Sequence, residues 1–138
     1  MYQESIFIDT GAWVSLADGD DAHHKAAASL FPSLLQKSKE LITSNLVVAE
    51  SYILILKGLG YNGVIDFLDK INGSPRVTRV YSTSDIEKEA EEILKKYMDQ
   101  DFSYTDAVSF AIMKKQKIKK AFSFDKHFQT MGFIRIPQ

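Results

Sequence analysis

Four acidic side chains of this sequence stand where an apolar stretch begins, ends or is interrupted. Asp9 and Asp125 each follow a short apolar run, Asp106 opens one, and Glu50 interrupts one. Carboxylates are rarely placed against a protein core, because removing an unpaired charge from water is costly. If the fold brings these four acids together, they form a binding site for a divalent cation.

Such a cluster has a specific chemistry. Two carboxylates about 4 Å apart repel by roughly 4 kcal/mol at an effective dielectric constant near 20, so a cluster without a cation is partly protonated. Mg²⁺ or Mn²⁺ suits ligation by oxygen atoms alone. An ion of this kind activates a water and stabilises negative charge on a phosphodiester during cleavage. The predicted activity is nucleic-acid hydrolysis, with Asp9, Glu50, Asp106 and Asp125 as both metal-binding and catalytic residues.

Three of these acids also have a purely structural interpretation. Asp9 is placed to cap a helix that begins near Gly11, and Asp125 to cap a short segment after it. Asp106 lies three residues after Ser103, which is the spacing of a capping box. For these three residues the structural and the functional interpretation both stay open.

Glu50 is harder to explain as a structural residue. The expected cap of its helix is Asn45, and the reciprocating position would then be residue 48, not Glu50. A solvated face is not expected, since its neighbours are apolar. Those neighbours are Val47, Val48, Ala49, Ile53 and Leu54.

The histidines and lysines predict less. His23 and His24 are adjacent, so on a helix they diverge by about 100° and cannot bind one zinc ion together; a surface or loop-packing role is expected. A basic stretch at 114–120 is typical of a solvated helix C-terminus, with RNA phosphate contact as the alternative. The candidates for RNA contact are Lys114, Lys120, Lys126 and His127.

Alternating strands and helices are predicted to position these residues. Periodic segments long enough for crossover helices separate five apolar runs, so the expected fold is a three-layer α/β/α sandwich around a mostly parallel sheet of about five strands. Ligands of such sheets bind outside the carboxyl ends of the strands, where these acids lie. The runs are 5–9, 40–43, 77–81, 121–124 and 133–136.

Capping residues predict three helix starts. These are Asn45, Ser84, and either Ser103 or Thr105. The segment 46–59 after Asn45 is so apolar that we expect it to be covered on nearly all sides.

Composition sets the protein class. The 138 residues, 45% of them apolar, predict one domain over residues 1–138 with a proper core. Seventeen basic and 18 acidic residues leave a formal charge of −1, so bulk charge does not attract nucleic acid. The sequence has no cysteine, which excludes disulfides and thiolate metal sites. Without a signal-peptide pattern or an apolar run of membrane length, a cytoplasmic protein with no membrane partner is expected.

Four ordered motifs resemble those of the PIN-domain nucleases, and within them the VapC-type toxins of toxin–antitoxin pairs. The resemblance spans the whole chain. Its motifs are 6–13 with Asp9, 47–50 with Glu50, 102–107 with Asp106, and 122–128 with Asp125. Ser123 stands where threonine is frequent in the family, and a hydroxyl is retained.

The resemblance implies a five-stranded parallel sheet, Mg²⁺ or Mn²⁺ at the four acids, and endoribonuclease activity. It further implies that Thr10 and Thr105 assist near the site, with Ser123 as a third hydroxyl. Two partners are also implied, a second copy of the chain in a homodimer and a small antitoxin protein.

Other functions are open at this point. An RNA-processing or DNA-directed nuclease would use similar acids. A doubly wound phosphoryl-transfer domain would also end its first strand in an aspartate, but it needs a second acid where Gly11 stands, and Glu50 would have no role. A non-enzymatic module would bind only a metal or a partner's arginine in the acidic pocket.

Overall fold

A sheet of five parallel strands is the centre of the computed structural model, which describes residues 4–138. The strand order is β3-β2-β1-β4-β5, so β1 lies in the middle, between β2 and β4. All five predicted runs form strands within two residues, and the predicted parallel α/β fold is confirmed. The strands are β1 Ile6–Ile8, β2 Leu41–Ser44, β3 Val77–Val80, β4 Lys120–Phe122 and β5 Ile134–Ile136.

Six helices connect and cover the described strands. The longest, α3, is broken at Gly60, whose φ of 79° lies in the left-handed region that favours glycine. Within residues 4–138, no helix combines the length and apolarity needed to cross a membrane. The helices are α1 Thr10–Ala17, α2 His24–Lys37, α3 Asn45–Gly73, α4 Ser84–Lys96, α5 Tyr104–Gln116 and α6 His127–Thr130.

Aromatic side chains attach helices to both faces of the sheet. Phe122 of β4 packs on Phe31 of α2, with ring centroids 6.4 Å apart. Phe7 of β1 packs instead on Phe128 of α6, which meets Phe110 of α5 edge to face at 5.0 Å. In the pairing of β1 with β4, Phe122 lies opposite Ile8, not Phe7, so the two phenylalanines point to opposite faces of the sheet. Helices on both faces produce the three predicted layers.

Helix α3 starts one residue earlier than predicted. Its N-cap is Ser44, whose hydroxyl accepts a hydrogen bond from the Val47 backbone N–H at 3.1 Å. The predicted cap, Asn45, instead accepts a hydrogen bond from the Ser82 backbone N–H at 2.9 Å. The prediction was wrong because a contact distant in sequence engages the asparagine side chain.

The starts of α4 and α5 are each set by a local capping hydrogen bond. Helix α4 is capped by Thr83, which accepts from the Ile86 N–H, so the predicted cap Ser84 is wrong by one residue. Helix α5 is capped by Ser103, one of the two predicted residues.

Helix α3 is not covered on nearly all sides, contrary to the prediction. Ile53, Leu54 and Leu59 are 43%, 46% and 40% exposed. Apolar composition alone did not reveal which face of the helix meets the sheet, because nearly every face of it is apolar.

A buried hydrogen-bond chain joins α1 to the two central strands. The Trp13 indole N–H donates to the Thr43 hydroxyl at 3.1 Å, and this hydroxyl donates to the Ile8 carbonyl at 3.0 Å. Thr43 is fully buried. These two hydrogen bonds therefore hold the end of β1, directly before Asp9, against α1.

We expect Thr43→Val to lower the free energy of unfolding by about 1–3 kcal/mol, since it leaves the buried indole N–H and the Ile8 carbonyl without their partner. Urea unfolding measures the change. Thr78→Val on the exposed face of the neighbouring strand is the matched control, and it should change stability by less than about 0.5 kcal/mol. Equal effects of the two substitutions would contradict a structural role for the buried chain.

Candidate functional site

Three of the four predicted acids lie at the carboxyl edge of the sheet. Asp9 directly follows β1, and its backbone N–H donates to the carbonyl of Phe122, the last residue of β4, at 3.0 Å. Asp125 lies three residues after Phe122, and Asp106 lies in the first turn of α5. Since all strands are parallel, their carboxyl ends share this edge.

Asp9 is the most deeply buried of these acids. Its side chain is held by the Ser123 hydroxyl, which donates to Asp9 Oδ2 at 3.0 Å. Burial raises the pKa of Asp9 to about 7, and the charges of Asp106 and Asp125 add to the increase. The nearby Thr10 backbone N–H and the Ser123 hydroxyl partly oppose it. The local environment therefore disfavours the negative charge of Asp9.

Asp106 has the structural role that its spacing predicted. The Ser103 N–H donates to Asp106 Oδ2 at 3.1 Å, and the Asp106 N–H donates to Ser103 Oγ at 3.0 Å, which completes a capping box. Burial nevertheless raises the pKa of Asp106, and the charge of Asp125 contributes to the shift. The capping box thus orients a carboxylate whose charge is destabilised.

Asp125 is connected to Asp9 through Ser123. The Asp125 backbone N–H donates to Ser123 Oγ at 3.0 Å, while that hydroxyl donates to Asp9. Asp125 Oδ1 in turn accepts the backbone N–H of His127 at 2.9 Å, as expected for a residue that caps the following segment. One hydroxyl therefore joins the Asp9 carboxylate to the backbone of Asp125.

His127 lies against the acids. Its Nδ1 is 3.2 Å from Asp125 Oδ1 and 3.7 Å from Asp106 Oδ2, and its Nε2 is 3.2 Å from Asp101 Oδ1. Ligand atoms of Asp106, Asp125 and His127 lie within 4.8 Å of one another, close enough to hold one metal ion. Nδ1 is buried and forms no hydrogen bond of acceptable geometry within the described part of the chain.

The predicted supporting threonines differ in their surroundings. Thr10 is buried beside Asp9, and its Oγ1 finds no hydrogen-bond partner among residues 4–138. Thr105 is half-buried in the first turn of α5, and its carbonyl accepts from the Ser109 hydroxyl.

Glu50 lies in the second turn of α3, the helix that directly follows β2. It is half-buried, and like Asp9 it is absent from the described group whose ligand atoms lie within 4.8 Å of one another, which comprises Asp106, Asp125 and His127. The argument that its neighbours exclude a solvated face was wrong, because Ala49, Ile53 and Leu54 are exposed. Its metal-binding role stays a prediction.

The predicted RNA-contacting lysines lie at two ends of the molecule. Lys126 is exposed directly after Asp125. Lys114 lies in the last turn of α5, about 12 Å along the helix axis from Asp106. Lys120 begins β4 and pairs with Glu4 at 2.8 Å. Of the three, only Lys126 adjoins the acids in the chain.

Sequence inspection missed Asp101, the partner of His127 Nε2. The two residues are distant in sequence, and Asp101 lies in a polar turn without any recognisable motif. The packing role predicted for the adjacent histidines is confirmed. The His23 ring stacks on Phe124 with centroids 4.2 Å apart, and His24 Nδ1 lies 2.7 Å from the Ser15 carbonyl.

Comparison with known proteins identifies relatives along nearly the whole chain. The family model of the PIN domain matches residues 6–134. The chain is 34% identical over 131 residues to the 23S rRNA-specific endonuclease VapC20 of Mycobacterium tuberculosis, which covers 95% of this chain and 97% of the relative. It is 27% identical over 133 residues to a VapC ribonuclease of Archaeoglobus fulgidus, covering 93% and 83% respectively.

Solved structures agree with this result. The crystal structure of VapC20 from Mycobacterium tuberculosis, described as a Sarcin-Ricin loop cleaving toxin, superposes with a TM-score of 0.87 at 33% identity, covering 94% of this chain and 96% of that one. VapBC2 from Rickettsia felis reaches a TM-score of 0.70 at 12% identity, covering 96% and 97%, which shows a shared fold. Together with the acids at the carboxyl edge of a five-stranded parallel sheet, these matches show that the chain belongs to the PIN-domain family of nucleases and is similar to the VapC ribonucleases.

Proposed function

We propose that this protein is an Mg²⁺- or Mn²⁺-dependent endoribonuclease that hydrolyses RNA phosphodiester bonds and acts as the toxin of a toxin–antitoxin pair. The observation that carries the proposal is the meeting of Asp9, Asp106 and Asp125 at one sheet edge in a PIN-domain chain. Substrate class is inferred from the mycobacterial relative, which is named an rRNA endonuclease and aligns over 95% of this chain.

The donor set fits a hard divalent cation. Burial raises the pKa of both Asp9 and Asp106, and each carboxylate also feels the charge of Asp125. A bound cation would remove this repulsion and favour the ionised acids. The Thr10 hydroxyl, which belongs to the residue directly after Asp9 and is buried without a partner in the described chain, is a further oxygen available for ligation. Mg²⁺ and Mn²⁺ are the ions that such oxygen ligands prefer.

Each acid has a restraint that would preserve its orientation during the reaction. The Ser123 hydroxyl holds Asp9, the capping box holds Asp106, and the His127 backbone N–H holds Asp125. When bound, the ion would supply water activation and stabilisation of charge on the scissile phosphate. Preoriented carboxylates reduce the reorganisation needed at that moment.

Several residues predicted from the sequence also belong to the proposal. Glu50 is proposed as a further acid of the metal site and Thr105 as a supporting hydroxyl. Lys126, exposed beside Asp125, is proposed to contact the RNA backbone close to the cleavage point. Lys114 and Lys120 would contact the RNA further away.

Two protein partners complete the proposed function, a small antitoxin and a second copy of the chain. The mycobacterial relative is described as a toxin, which supports an antitoxin partner. Ile53 and Leu54 of α3 are 43% and 46% exposed, and they offer apolar surface for association of two copies. Light scattering of the purified protein measures the homodimer directly.

We expect Asp106→Asn to reduce RNA cleavage by at least about 100-fold, a loss typical of removing one preorganised electrostatic contact. An asparagine keeps an oxygen for the capping box, so the fold is preserved. Cleavage of structured RNA with Mn²⁺, and with chelator, measures activity. Expression of the wild type should arrest growth, whereas expression of the variant should not.

The matched control for this experiment is Asp66→Asn, which changes an exposed aspartate paired with Lys70 on α3. It should cleave at the wild-type rate. Undiminished cleavage by Asp106→Asn would contradict the proposal. Metal-dependent stabilisation of the wild type without any cleavage would instead indicate a non-enzymatic binding module.

The pKa of Asp9 predicts a pH dependence of stability. The folded-state pKa of about 7 exceeds the ordinary value of 3.8, so the folded state binds the proton more tightly than the unfolded state. Stability from this group is therefore present below pH 3.8 and is lost as pH rises toward 7. In metal-free protein, Asp9→Asn should be more stable relative to wild type at pH 8 than at pH 4.

Urea unfolding in the presence of a chelator, at several pH values, measures this difference. Asp66→Asn serves again as the exposed control, and its difference from wild type should hardly vary. A stability difference for Asp9→Asn that is constant with pH would show that the folded protein does not disfavour the Asp9 charge. Saturating Mn²⁺ should reverse the order by stabilising the wild type.

A further inference from the structure

We propose that His127 is a metal ligand, so that the ion is held by the imidazole Nδ1 together with the carboxylates of Asp106 and Asp125. The inference rests on the proposed metal site and extends it. It assigns to His127 a role other than the RNA contact that its sequence position predicted.

The first support is the spacing of the donor atoms. Nδ1 lies 3.2 Å from Asp125 Oδ1 and 3.7 Å from Asp106 Oδ2. Donors bound to one ion at about 2.1 Å are separated by about 3.0 Å when adjacent and about 4.2 Å when opposite. Both distances from Nδ1 fall between these limits, and the ligand atoms of the three side chains all lie within 4.8 Å of one another, so one ion can be reached by all three with small adjustments.

The second support is the hydrogen-bond pattern of the ring. Asp101 Oδ1 lies 3.2 Å from Nε2 and can accept its proton, which leaves the lone pair of a neutral ring on Nδ1. A histidine ligand commonly donates its other N–H to a carboxylate in this manner. The Nδ1 lone pair then faces two carboxylate oxygens, and a cation between them would make this arrangement favourable.

The third support is that the ring is held in place. Phe102 meets it edge to face at a centroid distance of 5.0 Å and an angle of 80°. The His127 backbone N–H is fixed by Asp125 Oδ1. Nδ1 is buried and has no hydrogen-bond partner among residues 4–138. A group that is restrained and lacks a partner is a suitable preformed ligand.

An alternative role for His127 predicts the opposite effect of its removal on metal affinity. If His127 were a protonated imidazolium, it would serve as the counter-charge of the acids, and an incoming metal ion would have to displace it. Removing the ring would then leave metal affinity unchanged or increase it. If the ring is a ligand, removing it must weaken binding.

The ligand type also predicts selectivity among ions. Imidazole nitrogen suits transition metals, whereas Mg²⁺ prefers oxygen. Loss of the ring should therefore weaken Co²⁺ binding most and Mg²⁺ binding least, with Mn²⁺ between them.

Calorimetric titration of metal-free protein with Mn²⁺, Co²⁺ and Mg²⁺ tests the assignment without any activity measurement. We expect His127→Ala to weaken Mn²⁺ binding by about tenfold or more, with a larger loss for Co²⁺ and a smaller one for Mg²⁺. Asp101→Asn should weaken Mn²⁺ binding by about tenfold, through the orientation of the ring. His23→Ala, a histidine stacked on Phe124, is the matched control and should bind as the wild type does.

Pulsed electron paramagnetic resonance of bound Mn²⁺ gives a second, direct readout. Wild-type protein should show coupling to a histidine ¹⁴N that changes to ¹⁵N coupling when histidine is labelled, and His23→Ala should retain it. This measurement decides the matter in the wild-type protein even if His127→Ala fails to fold.

Absence of histidine coupling, or Mn²⁺ affinity unchanged or raised in a folded His127→Ala variant, would overturn the assignment. Asp106→Asn separates this failure from failure of the metal site itself. If Asp106→Asn loses Mn²⁺ binding while His127→Ala keeps it, only the ligand assignment is wrong. If Asp106→Asn binds Mn²⁺ as the wild type does, the proposed metal site is wrong as well.

Discussion

Removal of carboxylates from water, to which repulsion among them adds, is the constraint on which this structure depends. Asp9 and Asp106 are buried, and the pKa of each is raised by burial and by neighbouring acids. The parallel sheet imposes the arrangement, because the carboxyl ends of β1 and β4 are adjacent and both lead into acids. Folding therefore creates a site in which the negative charges of Asp9 and Asp106 are disfavoured, and the proposed cation would stabilise these charges.

Local restraints allow the fold to tolerate this cost. The side chains that hold the acids also serve ordinary structural purposes: Ser103 caps α5, and Ser123 joins the end of β4 to Asp9. The structural and functional interpretations of Asp106 are thus compatible, since its capping bonds orient the carboxylate and leave it beside Asp125. An acid that takes part in a helix-capping box is not thereby excluded from a role in catalysis.

Most predictions from sequence succeeded where the signal was local and failed where it depended on distant contacts, although the cap of α4 was misplaced by one residue despite its local hydrogen bond. Five apolar runs became five strands, because a buried parallel strand needs a short continuous apolar run. The cap of α3 was misplaced because Asn45 bonds to Ser82, far along the chain. Glu50 was expected to be enclosed by apolar neighbours, yet Ile53 and Leu54 are exposed, since an apolar helix does not reveal which face it buries.

The sequence by itself determined the class of fold, the PIN-domain family that the four motifs suggested, and the presence of acids at strand ends. Each of these depends on residues close together in the chain, where hydrophobic period and capping chemistry act directly. Only the tertiary structure decided that Asp9, Asp106 and Asp125 share one edge, and that Asp101 and Phe102 contact His127. These relations depend on strand order and helix packing, which join residues that are distant in the chain.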